Sequence, residues 1–311
     1  MLIDFHRTML LDKPRNEAFY AALQKIIVPG KSVVADIGSG TGLLAFLARQ
    51  LGAKDCYLFE YTDALKLSQI LAKKNRISRC HFIHEHSTRY AGDLETDIIV
   101  SETLGNFAYE ENIIETIEDA KRFLKPGGVI VPQMIDQFVA PVTSERFYRE
   151  LCAWDDVGFE LDFAAAKAMS MNNLYVRTMA PSDFATEGLA AQRWDRVDFR
   201  RNNHSERKGA VNWTVKEPAT IYGLGLWWRC ELVPGVELST SPHANLTHWE
   251  QLYAPVVVPV AVQPGDKLSV VLYSDTRLEV GVNLKWEVSV ERPGEGVVER
   301  QKMDMRDGFM G

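Results

Sequence analysis

Residues 34–42 read VADIGSGTG, an apolar strand running into a turn with glycine at 38, 40 and 42, after which LLAFLARQLGA at 43–53 takes up helical spacing. Glycine at these places lets the backbone turn tightly and lets a ligand approach where a Cβ would collide. Outward from this unit the same alternation continues: CYLFEYT at 56–62, DALKLSQILAKKN at 63–75, CHFIHEH at 80–86, DIIVSETLG at 97–105, a helix through Arg122, then LKPGGVIVPQ at 124–133, a Pro-Gly-Gly turn into another strand. Strands alternating with helices imply a parallel sheet wrapped by helices. Upstream, residues 14–27 are predicted helical, with Phe19, Leu23 and Ile26 at helical spacing and the breaker pair Pro29-Gly30 beyond.

Past about residue 145 the helix signals fade. Period-two alternation takes over in ATIYGLGLWWRCELV (219–233), YAPVVVPVAV (253–262), KLSVVLYS (267–274) and LKWEVSVE (284–291), which predicts an antiparallel β domain. The expected fold is therefore α/β, with a helical segment over 1–30, a Rossmann-like domain over 31–140 and a β domain over 141–311. A stretch near 160–195, rich in Ala and Met, is expected as an arm, a linker or part of the second domain. No internal repeat or low-complexity tract appears.

The chain has 311 residues, 46% of them hydrophobic and 25% charged, a formal charge of −7, and no apolar run near the roughly 18–20 residues that cross a bilayer. No membrane association is expected, and an N-terminus charged from Asp4 onward lacks the layout of a secretory signal, so a cytoplasmic location is expected. The net negative charge disfavours nucleic acid as a partner and mildly favours cationic substrates. Cys56, Cys80, Cys152 and Cys230 form no C-x-x-C pair, which speaks against a disulfide framework or a cysteine zinc site. Three N-x-S/T triplets, at Asn203, Asn212 and Asn245, carry no weight in a chain that is not secreted.

Two acids decide which ligand the glycine turn suits. The spacing is G-x-G-x-G rather than G-x-G-x-x-G, and Asp36 stands two residues before Gly38; an acid there opposes a pyrophosphate but suits the ammonium of a methionine moiety. Glu60 ends the next strand, where a carboxylate accepts hydrogen bonds from both ribose hydroxyls. Together with Gly38 and Gly40 they favour S-adenosyl-L-methionine over a nicotinamide dinucleotide. His81, His84 and His86 form an H-x-x-H-x-H cluster, with His84 and His86 expected on one strand face, but no ligand set completes around them and no metal is expected.

Four blocks along nearly the whole chain resemble the protein arginine methyltransferase family: HRTMLLDKPRNEAFYAAL at 6–23, ADIGSGTG with Phe59-Glu60, SETLGNFAYEE at 101–111, and STSPHANLTHWEQ at 239–251. The resemblance implies an S-adenosyl-L-methionine-dependent arginine N-methyltransferase with a C-terminal β-barrel, whose substrate is an arginine-containing protein, a peptide or free arginine. It also implies a homodimer joined through the 160–195 arm, in which Phe163-Ala164-Ala165-Ala166, Met169 and Met171 meet the partner. His6, Met9 and Arg15 are implied to close over the cofactor, Arg15 pairing its carboxylate; Glu102 and Glu111 to grip the guanidinium; Asp12 and His248 to support that pocket, with Trp249 packing the loop. Counting back from Asp97 puts the adenine-side position at Ser87, with Glu85 nearby. An ungapped register from Ser101 to Ala120 selects Glu111 over Glu110 as the second glutamate and aligns Ile113, Ile114 and Ile117 as apolar helix positions. Trp227 and Trp228 read as β-domain core and surface.

The chemistry agrees with the residue types. A guanidinium stays protonated and offers no free lone pair, so an enzyme that alkylates it must position it. Two fixed carboxylates can align one nitrogen with an electrophile and hold the cationic product. Glu102, at the carboxyl end of a strand beside the glycine turn, lies where open α/β sheets bind ligands. Two other readings fit the same fold: a methyltransferase acting on another small-molecule nucleophile, or a cofactor-binding module without turnover.

Overall fold

A computed structural model describes residues 3–185 and 188–309. Two helices open the chain, α1 (Ile3–Leu11) and α2 (Lys13–Ile26). Asp12 separates them and caps α2, its side chain accepting from the Arg15 amide. Five strands follow, β1 (Val33–Ile37), β2 (Asp55–Phe59), β3 (Cys80–Ile83), β4 (Thr96–Ser101) and β5 (Leu124–Val131), with helices α3 (Leu43–Gln50), α4 (Ala64–Lys74) and α5 (Ile113–Ala120) between them. The strands are parallel in the order β3-β2-β1-β4-β5, so the chain reverses its direction of build at the β1/β4 seam, where such sheets bind ligands. Ile37 pairs with Ser101 across that seam, and Gly38 and Glu102 therefore leave the sheet side by side.

The remaining strands are antiparallel: β6 (Met134–Val142), β7 (Tyr175–Arg177), β8 (Gln192–Asp198), β9 (Glu206–Thr214), β10 (Ala219–Val233), β11 (Val236–Ser239), β12 (Gln251–Val262), β13 (Lys267–Asp275), β14 (Asn283–Arg292) and β15 (Gly296–Asp304). One sheet runs β7-β12-β10-β6-β8 with β11 on β10, and the other β15-β14-β13-β9. Among the described residues they do not join into one hydrogen-bonded ring, as a closed barrel requires. At one seam β9 crosses β8 so closely that a Cβ on Gly209 would lie 1.8 Å from the Trp194 carbonyl oxygen, a crossing that only glycine permits. At the other, Gln301 of β15 takes the place of ladder bonds, its amide accepting from the Val258 N–H and donating to the Val258 carbonyl. Because β6 already belongs to the antiparallel sheet, that layer begins at Met134.

The segment expected as an arm divides. A helical excursion starts earlier, with α6 (Arg146–Leu151), a short turn to Asp156 and α7 (Ala164–Ser170), whereas Tyr175–Arg177 pairs with β12 and Gln192 opens β8. Met171 is buried, packed with Phe147, Tyr148 and Tyr253, so it belongs to the protomer's own core rather than to a free surface. Ala164 and Ala165 are exposed. Thr186 and Glu187, inside the same stretch, lie outside the described residues. No helix among the described residues is long and apolar enough to cross a membrane.

Candidate active site

A cavity of about 720 Å³ opens at the carboxyl end of β1 and β4, between the α/β sheet, the two N-terminal helices and the loop before β12. Its floor is the glycine turn. Gly38 has φ +71°, and a Cβ there would sit 2.7 Å from the Thr103 methyl; at Gly40, φ +51°, a Cβ would fill space beneath the His6 ring, 3.4 Å away. Glu60 is buried at the end of β2 and braces the turn, accepting from the Gly40 N–H at 2.9 Å and the Thr62 N–H at 2.7 Å. Asp36 is buried in β1 and accepts from the Ala45 N–H at 3.0 Å, near the start of α3. Burial pushes its carboxyl up to about 7. His6 and Met9 of α1 form the roof, and burial lowers the His6 imidazole against the pull of Glu60.

Glu102 and Glu111 face the same cavity from the loop after β4. Their neighbour Glu110 also borders the cavity, but its carboxylate is taken up by the loop. Its carboxylate accepts from the Asn106 N–H at 3.0 Å and the Phe107 N–H at 3.3 Å and lies against Gly105, so the loop is wound around it. Glu111 has no hydrogen-bond partner among the described residues. Glu111 is exposed at the cavity mouth, yet the protein atoms crowding it, then the charges of Glu102, Glu110 and Glu60, push its carboxyl up to about 7. The difference between the two adjacent acids is thus conformational: Glu110 is spent on backbone amides and Glu111 on none among the described residues.

Arg15 of α2 was expected on a cofactor carboxylate; the structure places it on Glu102, buried, with Nε donating to Oε2 at 2.7 Å and Nη2 contacting the same oxygen. Asp12 and His248 come together as expected: Nδ1 and Oδ2 are 2.7 Å apart, and the His248 backbone N–H also donates to Oδ2 at 2.7 Å. Burial works to raise the Asp12 carboxyl, but hydrogen bonds from His248 and Arg15 outweigh it and hold it below the ordinary value. His248 packs on Trp249, ring centroids 4.0 Å apart.

Ser87 does not reach the cavity. It is buried with its hydroxyl unpartnered, and its carbonyl accepts from Arg122. Tyr61 and Thr62, which follow Glu60, line that side instead. The histidine cluster also dissolves, because β3 stops at Ile83. His81 pairs with Asp55 at 3.0 Å, while His86 caps the next turn by accepting from the Thr88 N–H, so His84 and His86 do not share a strand face.

Sequence reading missed the supports of the glutamate loop. Trp249 Nε1 donates to the Leu104 carbonyl at 2.7 Å and Trp228 Nε1 to the Gly105 carbonyl at 3.0 Å, the two indoles meeting edge to face. The Glu250 N–H donates to Asn106 Oδ1 at 2.9 Å, and buried Tyr109 donates to Asp195, itself forked by Arg207. The sequence offered Trp249 only as packing its loop, and Trp228 of β10 only as part of the β domain, a place that core packing explains equally well.

Residues 135–303 match the family described as the PRMT5 oligomerisation domain, and residues 30–178 match one described as a methyltransferase domain. A histone-arginine methyltransferase CARMER of Culex quinquefasciatus is 29% identical over 92% of this chain and 49% of its own length. A probable protein arginine N-methyltransferase 3 of Arabidopsis thaliana is 30% identical over 85% of this chain and 48% of its own. The chain thus spans about half the length of the curated relatives it matches. Among solved structures, the PRMT1 enzyme-prozyme complex of Trypanosoma brucei with AdoHcy superposes with a TM-score of 0.85 at 21% identity, covering 97% of this chain and 98% of the other. The protein arginine methyltransferase 10 of Arabidopsis thaliana gives 0.81 at 20% identity, covering 98% of each.

Proposed function

Because the chain belongs to the protein arginine methyltransferase family, we propose that it transfers a methyl group from S-adenosyl-L-methionine to a guanidino nitrogen of an arginine in a protein or peptide. The observation that carries this is the convergence of Glu102 and Glu111 on one cavity with the Gly38–Gly42 turn, Asp36 and Glu60. The site fits the cofactor. The missing Cβ atoms at Gly38 and Gly40 leave a cradle, the Ser39 hydroxyl is buried without a partner, and Glu60 keeps acceptor capacity for ribose hydroxyls beyond its two backbone donors. S-adenosyl-L-methionine supplies an electrophilic methyl on a sulfonium.

The chain's own residues do the rest. Glu111 and Glu102 bind the guanidinium from two sides, fix which nitrogen faces the methyl, and concentrate positive charge on the nitrogens that do not react. A guanidinium entering beside Glu111 lowers that carboxyl from about 7, so substrate binding keeps the glutamate ionised. Arg15 bonds Glu102 and borders the cavity, so it would hold the carboxylate of a bound cofactor, which would leave Glu102 for substrate. Asp12 orients His248 beside the pocket, where the pair is placed to accept the proton lost after transfer.

We further assign a homodimer in the cytoplasm. The helical excursion exposes Trp154, Phe159 (88%) and Leu161, and α1 and α4 expose Phe5, Leu11 and Ile70, so that a twofold pair can cover one patch with the other. Radiolabelled S-adenosyl-L-methionine with an arginine-rich peptide, followed by acid hydrolysis and amino-acid analysis, is expected to show label in methylarginine. Label in any other amino acid, or none, refutes the assignment, and light scattering showing an active monomer refutes the dimer.

A further inference from the structure

The loop that carries Glu102 and Glu111 is anchored by a donor far from the α/β sheet. Trp228, in the middle of β10, is fully buried, and its one polar atom, Nε1, donates to the Gly105 carbonyl at 3.0 Å. Gly105 is the hinge of the loop, three residues after Glu102 and six before Glu111. Its Cα lies so close to the Glu110 side chain that a Cβ there would be 2.0 Å from the Glu110 carboxylate. The Gly105 carbonyl on Trp228 and the Asn106 amide on Glu110 are the two ends of one peptide group, and the Phe107 amide on Glu110 belongs to the next, so one bond to β10 sets the plane in which the turn is wound. Phenylalanine lacks the indole's pyrrole edge and its N–H, so Trp228→Phe removes the bond together with some core packing, and a second buried tryptophan is needed to separate the two.

We propose that Trp228 is a positioning residue for methyl transfer, acting through the Gly105 carbonyl to hold Glu102 and Glu111 at their spacing across the guanidinium site. The proposal rests on the arginine methyltransferase reading. It assigns to the β domain a part in that chemistry besides covering the cavity. Without the indole N–H the Gly105 carbonyl is buried and unpaired, and the loop relieves this by turning toward water, which carries Glu111 with it. The cofactor half of the site, braced by Glu60 and Asp36 within its own sheet, does not depend on that bond.

Trp228→Phe tests this against Trp286→Phe. Trp286 of β14 is equally buried and donates to the Pro255 carbonyl at 2.7 Å, a bond of the same kind away from the glutamate loop. In the full chain, Trp228→Phe is expected to lower kcat about tenfold, equivalent to ~1.4 kcal/mol and near the upper range for one neutral hydrogen bond. KM for the peptide and the affinity for S-adenosylhomocysteine should stay within about twofold. Hydrogen exchange at the amides of 105–110 should quicken by a similar factor, while exchange in β1 and β2 stays unchanged. Trp286→Phe should shift the melting temperature and leave kcat per folded enzyme and the 105–110 amides unchanged. Equal kcat in wild type and Trp228→Phe, or equal loss in both variants, overturns the proposal. If wild type methylates no arginine, the activity reading falls instead, and unchanged exchange at 105–110 still refutes Trp228 as the anchor.

Discussion

The Gly38–Gly42 turn and the Glu102–Glu111 loop stand side by side in one cavity and are held by opposite means. The first is braced from within its own strands: Glu60 takes the Gly40 amide from 20 residues away, Asp36 takes Ala45 from 9, and the Phe59 carbonyl takes the amides of Gly38 and Ser39. The second is held from both ends of the chain, by Arg15 across 87 residues, Trp228 across 123, Trp249 across 145 and Glu250 across 144. The lesson is a division of labour. The bracing of the glycine turn is a local property of the α/β sheet, and the bracing of the glutamate loop is a property of the whole chain.

The strongest way to break this contrast is to neutralise the loop acids. Glu102→Gln and Glu111→Gln each keep shape and an acceptor but remove charge, and kcat is expected to fall by about 10²-fold or more, ~2.7 kcal/mol, as for loss of one preorganised electrostatic group. Calorimetry with S-adenosylhomocysteine should find cofactor affinity nearly unchanged for Glu111→Gln. An affinity that collapses along with kcat would merge the two halves into one.

The reciprocal variant, Glu60→Ala, should weaken cofactor binding by about 1–3 kcal/mol, the range for hydrogen bonds to a charged group, and largely recover turnover at saturating cofactor. Persistent loss of kcat at saturation counts against a local cofactor half.

Asp36 separates affinity from stability. Its folded carboxyl is raised from 3.8 to about 7 by burial, so ionising it costs the folded state more than the unfolded one. That cost is absent well below 3.8, grows as pH climbs from 3.8 to about 7, and is fully present above 7. In the ligand-free protein Asp36→Asn should therefore melt higher than wild type at pH 8, by about 2–4 °C for each ~1 kcal/mol, and the gap should close toward pH 4. The variant should bind cofactor less well, since the acid facing an ammonium is gone. A gap that widens as pH falls contradicts the burial argument.

Glu110→Gln should be the mildest change. The amide oxygen still accepts from the Asn106 or Phe107 N–H, and no ligand role is removed, so kcat should stay within about threefold. A crippling effect here, with Glu111→Gln mild, would exchange the roles of the two acids.

Most of the cofactor half was legible from residue order. Apolar runs of strand length, helical spacing after the glycines and an acid closing the second strand are short-range patterns, and the forces that realise them, backbone sterics and sheet pairing between neighbours, are short-range too. The same patterns mislead where a run ends early. CHFIHEH looks like seven residues of strand, but β3 stops at Ile83, and both the shared face of His84 and His86 and the inward aim of Ser87 go with it. Alternation also predicted the antiparallel strands, without showing that they divide into two sheets where Gly209 passes Trp194.

By itself the sequence determined the α/β order and the glycine turn with acids at 36 and 60 beside it, while the choice of Glu102 with Glu111 over Glu110 came from the family resemblance. The tertiary structure alone decided that Glu110 accepts from the loop's own amides while Glu111 does not, that Arg15 rests on Glu102, and that the indole of Trp228 reaches Gly105. The reason is physical. A side chain's rotamer and its hydrogen-bond partner depend on which distant groups are brought within about 3 Å, and neither composition nor periodicity encodes a contact between residues more than a hundred positions apart.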